Sequence, residues 1–335
     1  MTDETVTMSV GEALALCEAA ARGAGAREEL AHSIALAAVD AEAEGQPNVG
    51  LSHFVDYLES LVAGRIDGQA MPVIDRPALT LFRSDARGGA AHTGFDIAFD
   101  DIVSAASTLG LAAFVQRNAY TAGALGYFPR RLAEKGLVAF AATNGPALIA
   151  AGGSTRPVFC TNPIAFAFPM AARPPLLIDQ SSSATAFVTV RQAAASGEPL
   201  PEGWAIDAHG RPTTDASEAM RGALLAFGGA RGSNIALMVD MLAAGVAGGK
   251  WSLDAGSITD GSESPGSGLF VVAIAPALID PDFAGRAADQ FDRLSREYGV
   301  HLPGPRKDAA RREAERDGLR VKAATRDRIA AFVAA

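Results

Sequence analysis

Cysteine is nearly absent. Cys17 and Cys160 are the only two in 335 residues, far apart and outside any CxxC, so neither a disulfide framework nor a zinc site can be built from them and no metal is expected. Both are expected as buried small hydrophobes. No run approaches the roughly 18 uninterrupted apolar residues that a membrane span needs, and the acidic start MTDETVTMSV lacks the basic and apolar regions of a secretory signal. The cytoplasm is the expected location, with no membrane partner. An excess of positive charge is missing too: the net charge is -9, which argues against a nucleic-acid surface, because phosphate binding needs clustered Lys and Arg. The one local exception is basic "PGPRKDAARREAER" near the C-terminus. Neither a G-x-G-x-x-G fingerprint nor a P-loop is present, and no fixed-period repeat or low-complexity tract is found.

What is there is the composition of a soluble folded protein, with 49% hydrophobic and 20% charged residues. The length suits one large domain with an appendage or two interleaved domains. The first 65 residues read as helices: "SVGEALALCEAAARGAG" with Ser9 as a possible N-cap, "REELAHSIALAAVDAEAEG" stopping at Gly45, and "GLSHFVDYLESLVAGRIDG" with Phe54, Tyr57, Leu58 and Leu61 on one face. From about residue 78, short apolar runs such as "LAAFVQ", "GLVAFAAT", "AFAFPM", "PLLIDQ" and "LFVVAIAPALI" read as strands, with helices between them. The fold class is α/β, and "TRDRIAAFVAA" predicts a last helix that returns to the N-terminal part.

Four stretches have the composition of a site. "RNAYTAGALGYF" sets a polar turn against a segment with almost no side chains. "CTNPIAFAFP" places Thr161 and Asn162 before Pro163, where polar side chains can face a cavity, although a plain turn that starts a strand fits as well. "LLIDQSSSATAF" carries Asp179 at a strand end beside small residues; the acid either meets a ligand or caps the next helix. "FGGARGSNIALMVDML" is a glycine-rich turn that either offers free helix amides to an anion or is simply tight.

In order, "GLSHFVDYLESLVAGRI", "RNAYTAGALGY", "TNPIAFAFP", "LLIDQSSS", "WAIDAHGRPTTD", "FGGARGSNIALMVDML" and "LPGPR" resemble the malate/L-lactate dehydrogenase family, which also contains sulfolactate, ureidoglycolate and diketogulonate oxidoreductases and the Δ1-piperideine-2-carboxylate/Δ1-pyrroline-2-carboxylate reductases. The resemblance spans almost the whole chain. It implies a homodimer, a non-Rossmann NAD(P)-binding fold with a large mixed sheet flanked by helices, and hydride transfer to a 2-oxo or 2-imino acid. It divides the chain into a helical part, residues 1–75 with 305–335, and an α/β cofactor-binding domain, residues 76–304. Residue by residue, it implies that Thr121, Ala122, Gly123, Ala124, Leu125, Asn162, Asp179, Gln180, Ser181, Gly228, Gly229, Arg306, Lys307 and Arg312 surround the cofactor. Gly123, Ala124 and Gly126 would lack bulk because the dinucleotide lies against them. Thr161 would hydrogen-bond the substrate, and the candidates to hold its carboxylate are His53 as imidazolium, Arg117 and the amides near Thr161.

Departures from the family pattern carry the functional expectation. Members that reduce carbonyls typically have a Ser-His-Gly block with an arginine four residues after the histidine; here the block is Asn48, Val49, Gly50, and His53 stands at the arginine position. A second family histidine is Thr121. Because positions 49 and 53 share one helical face, His53, with Asn48 beside it, is the expected catalytic pair. An iminium already carries its proton when it accepts hydride, whereas a ketone needs a positioned acid, so the weakened acid site favours a cyclic 2-imino acid as substrate. A 2-hydroxy-acid dehydrogenase and a nucleotide-binding protein without turnover are the alternatives. The cations Arg306, Lys307, Arg311 and Arg312 favour NADPH over NADH as the cofactor.

Overall fold

The computed structural model describes residues 4–333, so the first three residues of the acidic start and the last two of the C-terminal helical stretch lie outside it. Its first elements are β1 (Thr5–Met8), α1 (Val10–Gly23), α2 (Glu28–Ala43) and α3 (Leu51–Val62). Ser9 caps α1: its hydroxyl accepts the Glu12 amide at 3.2 Å, and its own amide donates to the Glu12 carboxylate at 2.8 Å. Two amides left over at the helix start are thereby satisfied. The start of α3 is capped from another helix, because the Glu42 carboxylate of α2 accepts the Leu51 amide at 2.8 Å. Gly50 must be glycine there, since a Cβ would lie 2.5 Å from that carboxylate. The face of Phe54, Tyr57, Leu58 and Leu61 is buried, as its spacing predicts.

The chain continues through β2 (Val73–Ala78), β3 (Leu81–Asp85), α4 (Ala91–Leu109), β4 (Leu111–Ala119), α5 (Tyr127–Glu134), β5 (Val138–Thr143) and the short β6 (Ile149–Ala150). Then come β7 (Ile164–Met170), β8 (Arg173–Gln180), α6 (Phe187–Ser196), β9 (Ala205–Ile206), β10 (Pro212–Thr213), α7 (Ala216–Arg221) and β11 (Ala223–Leu225). The last elements are α8 (Ala230–Asp240) with a π-helical turn at Met241–Val246, β12 (Ser267–Ile274), α9 (Phe283–Tyr298), α10 (Pro305–Asp317), β13 (Leu319–Lys322) and α11 (Ala323–Ala330).

Seven strands form one mixed sheet in the order β2, β3, β4, β12, β5, β7, β8. Only β3 and β4 run parallel, joined across α4, so the sheet lacks the repeated parallel crossovers of the Rossmann fold. The absent glycine fingerprint has its structural counterpart here. A second sheet, β10, β9, β11, β6, is covered by α6 and α7 around Ile149, Val190, Leu200 and Leu224. Its strands are two or three residues long, too short to show a period of two in the sequence. β1 pairs with β13, which brings α11 back to the first helices. Ile329 enters the core that holds Phe54 and Leu58, and Arg328 reaches Glu59 at 2.7 Å.

The core between α4 and the large sheet centres on Phe95, whose ring meets Phe99, Phe114 and Phe128 edge-on at centroid distances of 5.7, 5.7 and 5.1 Å. Removing that ring would leave a cavity that neighbouring elements cannot close. Phe95→Ala is expected to cost about 3–5 kcal/mol of stability, read as a lower urea midpoint at unchanged slope; a loss below about 1 kcal/mol would show that the core collapses onto the gap.

Candidate active site

The polar turn that follows β4 is shaped by protein atoms behind it. Gly123 takes φ of +57°, and a Cβ on it would lie 3.0 Å from the Tyr57 hydroxyl and 3.5 Å from the His92 ring. At Gly126 a Cβ would lie 2.9 Å from a Leu177 methyl and 3.0 Å from the Asp179 carboxylate. Internal close approach therefore accounts for the missing bulk at 123 and 126, which corrects the expectation that a dinucleotide alone requires it. Thr121 donates from its hydroxyl to the Tyr57 hydroxyl at 3.1 Å, and Ala122 and Leu125 are buried while Ala124 stays half-buried at the surface of the turn.

Asp179, the penultimate residue of β8, accepts the Gly126 amide at 2.8 Å. Gly126 is the N-cap residue of α5, so this carboxylate fixes the start of a helix earlier in the chain, rather than capping the next one. Burial raises its pKa, an effect opposed by the Lys307 charge and the Gly126 hydrogen bond. Gln180 is exposed at the strand end, and Ser181 shares a hydrogen-bonded turn with Ser183 at 3.0 Å.

On α3, His53 and Asp56 form a pair: Nδ1 of the imidazole lies 2.9 Å from the carboxylate, and the His53 side chain is 18% exposed. Burial alone would raise the Asp56 carboxyl, yet the hydrogen bond and charge of His53, with Arg191 and Arg328, hold it below the usual range. The next residue on this face is Tyr57, whose ring meets His53 edge-on at 4.8 Å. Burial pushes the Tyr57 phenol above its ordinary pKa, so it stays protonated. Behind it lies His92, fully buried at the start of α4, stacked on Phe128 at 5.4 Å and edge-on to Tyr57 and Tyr127. Burial lowers its pKa to about 3, and the positive helix end adds to the penalty on its charged form. A continuous set of side chains thus runs from Asp56 and His53 through Tyr57 to Thr121 and the glycine turn.

Two clefts flank this set. The larger, about 450 Å³, opens between the start of α3 (Asn48, Ser52, His53) and α6 (Arg191, Gln192), with β13 on its far side. Asn48 accepts the Gln192 side-chain amide at 2.9 Å across it. The smaller, about 380 Å³, lies between Leu177 and the α10 residues Lys307, Arg311 and Arg312. Lys307 and Arg311 spend their charge on Glu44, at 3.7 and 3.5 Å, while Arg306 and Arg312 have no ion pair among the described residues.

Ser182 joins the remaining turns to the one after β8: its amide donates to the Thr161 carbonyl at 2.8 Å, its hydroxyl to the Asn162 carbonyl at 2.7 Å, and its own carbonyl accepts the Phe227 amide at 3.1 Å, whereas Arg117 stands apart. Thr161 and Asn162 sit where β7 begins; Asn162 is buried with φ of +37°, donates to the Ala236 carbonyl at 2.7 Å, and leaves its own side-chain oxygen without a partner. Gly228 and Gly229 open α8 with φ of +57° and +63° and nothing within 4 Å of where their Cβ atoms would be. Arg117, expected to meet substrate, instead donates to Asp85 at 3.0 Å with its side chain 53% exposed, and it lines neither cleft. The sequence reading missed Asp56, Tyr57 as a polar contact, and His92. The three-residue spacing of His53 and Asp56 on a helix was the available signal for the first; a lone buried histidine carries none.

The chain matches the malate/L-lactate dehydrogenase family model over residues 8–330. It is 36% identical over 326 residues, 97% of each chain, to a (2R)-3-sulfolactate dehydrogenase (NADP(+)) of Chromohalobacter salexigens. It is 34% identical to a Δ1-pyrroline-2-carboxylate/Δ1-piperideine-2-carboxylate reductase of Pseudomonas putida, over 96% of this chain and 95% of that one. Among solved structures, the Δ1-piperideine-2-carboxylate reductase of Pseudomonas syringae superposes with a TM-score of 0.94 at 31% identity, covering 98% of this chain and all of the other.

Asp179 generates a pH prediction. Its folded-state pKa is raised, so the folded protein binds that proton more tightly than the unfolded chain, and the stability so contributed is lost as pH rises from the unfolded value of about 3.9 through the folded one. Asp179→Asn keeps an acceptor for the Gly126 amide and removes the titration. The variant is expected to gain stability relative to wild type as pH rises across that window, measured by urea unfolding at a series of pH values; parallel curves would show that Asp179 does not titrate differently in the two states.

Proposed function

Because the chain belongs to the malate/L-lactate dehydrogenase family, we propose that it is an NADPH-dependent reductase of cyclic 2-imino acids, of the Δ1-piperideine- or Δ1-pyrroline-2-carboxylate type. One observation carries the choice of substrate class. Val49 stands in the family's Ser-His-Gly block, and the histidine that shares its helical face is His53, held by Asp56 at 2.9 Å. NADPH, when bound, supplies the hydride. Asp56 keeps a proton on Nδ1 of His53, which leaves Nε2 to exchange the proton that the amine nitrogen gains or releases. Such an arrangement suits an iminium, whose nitrogen is protonated before hydride arrives.

Residues present fit a dinucleotide. The open glycine turn at Gly228 and Gly229 leads into the exposed Ala230 and Arg231 at the start of α8, and the buried Asn162 oxygen has no partner among the described residues. Arg306 and Arg312 remain available for a 2′-phosphate, since Lys307 and Arg311 are engaged by Glu44. Thr121, Ala124, Asp179, Gln180 and Ser181 complete the proposed cofactor side, with Thr161 toward the substrate. In this reading the helical part, residues 1–75 with 305–335, supplies His53 and the α10 cations, and the α/β domain of residues 76–304 supplies the turns.

A second reading, a 2-hydroxy-acid dehydrogenase, is favoured by the 36% identity to a sulfolactate dehydrogenase; in it His53 must act as the full acid. We also propose a homodimer through the exposed apolar face of Leu237, Met238 and Met241, each 44–45% exposed. The two free cysteines suit a reducing cytoplasm.

Purified protein mixed with NADPH and a panel of cyclic imines and 2-oxo acids, followed by nucleotide absorbance, tests the proposal. Cyclic imino acids are expected to be reduced fastest, and a faster 2-oxo acid would install the second reading. His53→Ala is expected to cut kcat/KM by about 100-fold with little change in NADPH affinity. Wild type is expected to bind NADPH at least about tenfold more tightly than NADH, about 1.4 kcal/mol, and Arg306→Ala or Arg312→Ala to erase much of that preference; equal affinities in wild type would make NADH the partner.

A further inference from the structure

Histidine at 53 leaves an anionic substrate without the arginine expected on α3. The His53 imidazole cannot replace it fully, because its Nδ1 is bound to Asp56, and a protonated histidine beside a carboxylate presents little net charge. Three cationic side chains line the larger cleft, Arg191 on α6 and Arg320 and Lys322 on β13, and Arg328 on α11 lies within range of Asp56.

Arg191 differs from Arg328 and Lys322 in having no partner, and from Arg320, which is also unpaired among the described residues, in position. Its neighbour Gln192 donates to Asn48 at 2.9 Å, which ties this part of α6 to the turn that starts α3. Arg191 therefore lines the cleft together with Asn48, Ser52 and His53. It is exposed and has no hydrogen bond or ion pair among the described residues; its charge is felt at longer range by Asp56, the carboxylate that holds His53. Arg328 is already paired with Glu59 at 2.7 Å, and Lys322 has interactions of its own. Arg320 lies on β13, across the cleft from α3. A planar guanidinium is suited to a carboxylate because two of its N–H groups meet both oxygens at once.

We propose that Arg191 is the substrate-carboxylate-binding residue of this chain, so that α6 supplies the charge which α3 lost at position 53. The inference rests on the substrate being an imino or oxo acid. Arg191 holds the carboxylate, and the His53 and Asp56 pair on the opposite wall handles the proton.

The test separates carboxylate recognition from turnover. Binding to the NADPH-loaded protein is measured by calorimetry for pipecolate and for piperidine, which lacks the carboxylate, in wild type, Arg191→Met, Arg191→Lys and Arg320→Met; KM and kcat are measured with Δ1-piperideine-2-carboxylate. Arg191→Met is expected to weaken pipecolate at least about tenfold and raise KM similarly, with piperidine binding and kcat much less affected. Arg191→Lys should recover part of the loss, and Arg320→Met should behave as wild type. Equal weakening of pipecolate and piperidine, an unchanged pipecolate affinity in Arg191→Met, or a loss confined to Arg320→Met would each overturn the assignment. Wild type that binds pipecolate through Arg191 yet reduces no cyclic imine would sink the proposed activity and keep the carboxylate site; wild type that binds no carboxylate at all would sink both.

Discussion

One buried ion network sets the register of the helical part on the large sheet. Arg130 of α5 reaches Asp40 at 2.5 Å, Glu44 at 2.9 Å and Glu134 at 2.6 Å, and Arg311 and Lys307 of α10 reach the same Asp40 and Glu44. Burial would lower the pKa of the Arg130 guanidinium, but the three carboxylates outweigh it and raise it further. Three cations face three carboxylates, so the group is nearly neutral as a whole. Removing Arg130 or Glu44, the two most buried members, leaves an uncompensated charge and typically costs about 3–5 kcal/mol, whereas an apolar replacement of the whole set could be as stable. What the network adds is position: it ties α2 and α10 to each other and α2 to α5 through named ion pairs. Because α2 also carries Glu42, which caps α3, those ties fix where His53 stands relative to the turn at Thr121.

The glycine turn is the other side of the same constraint. Asp179 holds the Gly126 amide, Tyr57 holds Thr121, and the Tyr57 hydroxyl and His92 ring occupy the space behind Gly123. Each glycine is thus dictated by atoms from a different element: Gly126 by β8, Gly123 by α3 and α4. A turn clamped this way from behind presents its front at little further entropic cost, which is the physical content of preorganisation. Internal packing thus suffices to require the missing bulk at Gly123 and Gly126.

The fold was legible where periodicity was long. The α3 face, the Ser9 cap, the strands from "LAAFVQ" to "LFVVAIAPALI" and the returning C-terminal helix all follow from patterns of several residues. The small sheet was not, because two-residue strands have no period, and neither was α6, whose Ala-rich "RQAAAS" follows a run that reads as a turn of small residues. At the site, the departures at Val49 and His53 were plain in the sequence, whereas their consequence was not. Asp56 sits one turn along from His53 and could have been paired with it. Arg117 misled in the opposite way: adjacency to the turn suggested a contact, yet Asp85, thirty-two positions earlier, takes its head group. Adjacent residues at a strand end point to opposite sides of the sheet, and chain proximity says nothing about which side holds the site.

Charge on the two walls of the site divides for a reason. Behind the turn, burial raises the Tyr57 phenol and lowers the His92 imidazole to about 3, so both of these remain neutral at pH 7. This uncharged pair of rings with one hydroxyl is compatible with a flat, apolar ring brought against it, and it neither attracts an anion nor competes for one. The His53 and Asp56 pair on α3 and Arg191 on α6 lie toward the rim, where water offsets their desolvation. Placing these charges toward the rim and these neutral groups behind avoids the several kcal/mol that an unpaired buried ion would cost. It also explains how this chain can carry Val49 and Thr121, since neither side chain leaves an uncompensated charge in the buried layer.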